Sequence, residues 1–98
     1  MSDDNFYENI DNDIEDELVA EYIKSLKEGL LILEENINKQ DFDSIRTYGH
    51  KLSGSGGTYG FGILSDIGSK IEDAAEVKDL DSIKKFFEKL CGEIEKLG

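Results

Sequence analysis

The chain has 98 residues, a net charge of −12 and a sequence pI near 4.3. Ninety-eight residues make one domain with one modest core, too small for a deep catalytic cleft. The charge disfavours binding to DNA, RNA or an anionic membrane surface, and a single cysteine, Cys91, excludes an internal disulfide.

Proline is absent and Leu, Ile, Glu, Lys and Asp dominate, an all-helical composition. Residues 1–12 are polar and acidic, with Phe6, Tyr7 and Ile10 as their large apolar groups, and are expected to form a short N-terminal arm. The start is acidic and so lacks the basic region of a signal peptide. The longest strongly apolar run, Leu30–Leu33, is too short to span a bilayer. A cytoplasmic protein without membrane contact is expected.

The first long helix is predicted from Asp13 to Lys39, with Val19, Tyr22, Ile23, Leu26, Leu30, Leu33 and Ile37 as its apolar stripe. Asp13, Glu15, Asp16 and Glu17 gather where the helix dipole favours negative charge. A turn follows at Asn38–Asp41. The second helix starts near Asp41 or Asp43 and ends close to Thr58–Gly60. The third begins around Phe61 and carries Leu64, Ile67, Ile71, Ala74 and Ala75. Lys78-Asp79 marks the next turn. The fourth runs from Leu80 to Leu97 with Ile83, Phe86, Phe87, Leu90, Ile94 and Leu97 inward and Cys91 beside them. Phe42, Phe61, Phe86, Phe87 and Tyr22 read as core; Tyr59 either packs under the turn after the second helix, the favoured expectation, or lines the docking surface. Four amphipathic helices with short connections give an all-α, up-and-down antiparallel four-helix bundle over residues 13–98. The stripes can close within one chain and no heptad pattern is sustained, so a monomer is expected.

The chemistry concentrates in the second helix. Its residues turn by about 100° each, so Phe42, Ile45, Gly49, Leu52 and Gly56 share a sector of roughly 80°. His50, the sole histidine, lies about 120° from the middle of that sector and faces away from the core. Arg46, Thr47, Ser53 and Gly54 are its neighbours one turn away, and Gly57 lies two turns on. Four glycines in a helix are a local penalty, and close approach is the reason to tolerate it. Gly49 and Gly56 can admit another helix, while Gly54 and Gly57 clear space around His50.

Other chemistries fit poorly. Gly54–Gly60 lacks the Gly-Lys-Ser/Thr and Gly-x-Gly-x-x-Gly patterns of nucleotide loops. In Asp11–Glu15 and beyond, Asp16 and Tyr22 stand where a calcium loop needs glycine and glutamate. One histidine and one cysteine on different helices make a zinc site improbable. No metal or cofactor is expected.

From Gly49 to Glu72 the chain resembles the histidine phosphotransfer (HPt) family. His50, Leu52, Gly54, Ser55, Gly60, Leu64, Ile67, Ile71 and Glu72 fit the family pattern. The resemblance implies a phosphocarrier rather than an enzyme. His50 would accept and donate a phosphoryl group, with a response-regulator receiver domain or a histidine kinase as partner. A neutral imidazole leaves one ring nitrogen with a free lone pair, and a docked partner can supply Mg²⁺ and most of the charge neutralisation. The small residues Thr47, Gly54 and Gly57 would form the docking face. Ser53 departs from the pattern, since the family usually places there a lysine that helps hold the phosphoryl group. Lys51 and Arg46 are the candidates to replace that charge, with Ser53 itself on the same face. The rival expectation is a binding module that docks a receiver or kinase, inhibits it, and transfers nothing.

Overall fold

The computed structural model describes the backbone of residues 2–98 and the side chains of residues 17–98. Its elements are α1 (Ser2–Asn38), α2 (Phe42–Thr58), α3 (Gly62–Glu76) and α4 (Leu80–Lys96), and no strand occurs among the described residues. Helix α1 begins at Ser2, eleven residues before the expected start at Asp13. Phe6, Tyr7 and Ile10 of the expected N-terminal arm lie outside the described side chains.

The three connections share one device. Gln40, Gly60 and Lys78 each adopt positive φ, at 55°, 83° and 55°. Around each the backbone closes a Schellman motif: Asp41, Phe61 and Asp79 N–H groups donate to the Asn36, Gly56 and Ala74 carbonyls at 2.9, 2.7 and 2.9 Å. The next helix follows at once. Asp41 and Asp79 cap α2 and α4 by accepting from the Ser44 and Ser82 N–H groups at 3.2 and 3.1 Å. Those serine hydrogen bonds hold both aspartates below the usual carboxylate range.

Each helix packs on its neighbours in sequence, and α4 returns to α1, which closes the ring. Leu26, Leu33 and Ile37 of α1 meet Ile45 and Leu52 of α2 in the buried core, with Leu64, Ile67 and Ile71 from α3 and Ile83, Leu90 and Ile94 from α4. The phenylalanines Phe42, Phe61, Phe86 and Phe87 are half-buried and pack against this core from its edges. Cys91 is half-buried too, and burial pushes its thiol pKa up. Among the described residues, no helix is long and apolar enough to cross a membrane.

Candidate functional site around His50

Two helices that nearly touch build the site. A Cβ placed on Gly49 would lie 2.6 Å from the Glu72 backbone nitrogen and 2.7 Å from the Gly68 carbonyl oxygen. One placed on Gly68 would lie 2.6 Å from the Ser53 nitrogen, and one on Gly56 would lie 2.7 Å from the Ser65 nitrogen. Helices α2 and α3 therefore meet main chain to main chain. Side-chain hydroxyls stitch the same seam: Ser53 Oγ and Ser69 Oγ lie 2.9 Å apart, and Ser65 Oγ donates to the Ser53 carbonyl at 2.7 Å.

His50 stands on the open face beside this seam, with its side chain 75% exposed. Its Nδ1 lies 3.1 Å from Oε2 of Glu72, whose side chain is only 23% exposed. A carboxylate can only accept, so this bond places the proton of a neutral ring on Nδ1. The lone pair is then on Nε2. A half-buried carboxylate behind an exposed imidazole fixes the ring's orientation and supports any positive charge that forms on it.

The predicted site residues divide. Thr47, Gly54 and Gly57 are exposed on the His50 face of α2. A Cβ on Gly54 would meet nothing within 4 Å, and one on Gly57 would meet only Ser65 Oγ at 3.8 Å. Thr47 turns its hydroxyl back to the Asp43 carbonyl at 3.0 Å. Arg46 and Lys51 are exposed and form no ion pair with the described side chains. Lys51 leans to the α1 side, where it lines a shallow groove with Tyr22, Ser25, Gly29, Tyr48 and Ser55. Ser53 is half-buried and its hydroxyl is engaged by Ser69, so it sits in the seam and not on the open face.

Glu72 is the residue that sequence reasoning passed over. It fitted the motif, yet its role follows only from the rotation of α3 against α2. The signal was the Gly68–Glu72 spacing of four, which puts a gap and a carboxylate on one face of α3.

On the α1 side, Tyr22 ties the bundle to the end of α2. Its hydroxyl is hydrogen-bonded to Ser55 Oγ at 2.7 Å, and its ring stacks on Tyr59 with centroids 4.1 Å apart. Tyr59 thus packs against α1 at the end of α2, the first of the two places open to it from the sequence. Tyr48 is more deeply buried between the helices, and burial pushes its pKa up to about 12.

A family model for the Hpt domain matches residues 17–98, which include all of α2, α3 and α4 and the site just described. Comparison with curated proteins and with solved structures gave no significant match. The match spans most of the chain, and this protein belongs to the Hpt domain family.

Proposed function

We propose that this protein is a phosphocarrier of a two-component phosphorelay, with Nε2 of His50 as the phosphoryl acceptor and donor. Membership of the Hpt family supports a phosphotransfer-type role in such systems. The observation that carries the assignment to His50 is the exposed imidazole whose other nitrogen is held by Glu72 at 3.1 Å. Nε2 attacks the phosphorus of an aspartyl phosphate on a receiver domain, or of the phosphoryl donor that a kinase presents. The N–P bond forms as the bond to the donor breaks, and the donor leaves with that electron pair. The proton stays on Nδ1, so the ring gains positive charge that the Glu72 carboxylate offsets. Transfer to a second receiver aspartate reverses these steps. The partner brings Mg²⁺ and most of the transition-state charge stabilisation, which makes the chain a carrier and not a catalyst.

In this reading the working unit is a monomeric, cytoplasmic, up-and-down antiparallel bundle of residues 13–98, with the acidic segment 1–12 outside it. Thr47, Gly54 and Gly57 give the partner a low surface on which to dock. Arg46 and Lys51, both without an ion-pair partner among the described residues, are the source of positive charge for the phosphoryl group, Lys51 by swinging out of the groove on the α1 side. A second reading has one observation in its favour. The place that usually carries lysine holds Ser53, turned into the seam, which suits a module that docks a receiver or kinase and inhibits it without transfer.

Incubation with phosphorylated receiver domains decides between them. Acid-labile label on the wild type and none on His50→Gln supports the carrier. Binding of the receiver with no label on either protein supports the inhibitory module.

A further inference from the structure

We propose that Gly49 and Gly68 are positioning residues: their missing side chains set the α2–α3 separation at which Glu72 reaches Nδ1 of His50. This rests on the reading of His50 as phosphoryl acceptor. The two glycines face each other across the closest part of the seam. A Cβ on Gly49 would meet the Gly68 carbonyl at 2.7 Å and the Glu72 nitrogen at 2.6 Å, and a Cβ on Gly68 would meet the Gly49 carbonyl at 2.8 Å. All three contacts are with backbone, which cannot turn aside as a flexible side chain can. Carbon needs about 3.5 Å from a non-bonded neighbour. Either methyl group would therefore drive the helices apart by something on the order of 1 Å.

The bond at stake has no slack. The His50 Nδ1–Glu72 Oε2 distance is 3.1 Å, near the upper end of the range for an N–H···O bond, about 2.7–3.2 Å. Glu72 is also the residue whose backbone nitrogen touches the Gly49 gap, so a shift there moves the carboxylate directly. The same separation sets the pairing of Ser53 with Ser69 at 2.9 Å. One backbone contact thus fixes two side-chain pairs, and one of them holds the proposed nucleophile.

The test is the tautomer of His50, read by ¹⁵N NMR at a pH where the ring is neutral, together with phosphorylation by a receiver domain. In wild type the proton sits on Nδ1. In Gly68→Ala the Nδ1–H population falls towards an even mixture and the phosphorylated fraction drops at least threefold, with helical content retained. Gly92→Ala on α4, whose methyl meets nothing within 4 Å, changes neither reading. A folded Gly68→Ala with wild-type tautomer and labelling overturns the proposal. If Gly68→Ala does not fold, Glu72→Asp takes its place: the seam is intact and the carboxylate is withdrawn by one methylene. Loss of the Nδ1–H tautomer there supports the distance requirement, and its retention overturns it. The tautomer is read without any phosphoryl donor. A wild type that shows the Gly68-dependent tautomer yet takes up no phosphate would keep this proposal and remove the carrier function.

Discussion

The hydroxyl of Ser53 on α2 lies 2.9 Å from the hydroxyl of Ser69 on α3, so a residue one turn from His50 belongs to the seam between helices. That relationship shapes what a lysine can do there. Ser53→Lys loses a half-buried hydrogen bond, worth about 1 kcal/mol. The long side chain can still lay its stem along the seam and bring its ammonium out beside His50. The expected outcome is a lower urea midpoint with a higher phosphorylated fraction at equal receiver concentration. No gain in label, with the midpoint lowered, would mean that Arg46 or Lys51 already meets the charge requirement.

Glu72→Gln separates orientation from charge. The amide oxygen can still accept from Nδ1–H, so the tautomer persists while the negative charge is gone. A charge-assisted bond is roughly twice as strong as a neutral one. With His50 well exposed, solvent screening leaves an expected loss of a few-fold in phosphohistidine formation, measured by single-turnover labelling. Glu72→Ala, which also frees the ring, should lose more. Equal labelling in all three proteins would show that the carboxylate is a bystander.

The glycines of α2 should split by face. Gly56→Ala places a methyl 2.7 Å from the Ser65 nitrogen and 3.2 Å from Leu64. Overpacking of this kind costs about 1–3 kcal/mol, or a fall in Tm of roughly 4–8 °C per kcal/mol for a chain of this size. Gly54→Ala meets nothing and removes a poor helix former, so its Tm should rise by a few degrees, with a gain of about 0.5–1 kcal/mol. Gly54→Leu is expected to keep the Tm and weaken receiver binding, measured by titration calorimetry. A Tm collapse in Gly54→Leu with binding intact would move the docking face elsewhere.

Tyr48 provides a pH handle on stability. Its pKa is pushed up by burial from 10.0 to about 12. The unfolded chain ionises first, so the stability tied to the neutral phenol is complete below pH 10 and is lost as pH rises from about 10 to 12. Two units correspond to at most about 2.7 kcal/mol. Denaturant titrations should show a steeper alkaline loss for wild type than for Tyr48→Phe. Parallel curves would place the phenol in contact with water.

Much of this architecture was readable in advance, for a local reason. Periodicity identified Ile45, Gly49, Leu52 and Gly56 as the buried face of α2, and all four are buried. Asp41 and Asp79 fall at the expected turns, and each accepts from the N–H of the serine three residues on, a local device. Helix α1 starts earlier than propensity suggests, since Asp and Asn are weak helix formers and the first twelve residues are rich in both. What could not be read was the rotation of one helix against another. A helical wheel puts Ser53 and His50 on adjacent positions but does not say which of them leans on α3. The Ser53–Ser69 and His50–Glu72 pairs both depend on that angle.

A seam made of main-chain contacts has another consequence. Side chains between helices can exchange rotamers and let the helices breathe; Gly49, Gly56 and Gly68 have none to exchange. Helices α2 and α3 should therefore move as one plate, with their amides at Gly49–Leu52 and Gly68–Glu72 among the slowest in the protein to exchange with deuterium. The imidazole would ride on the stiffest surface of the molecule, so the adjustments needed for docking fall to whatever meets it.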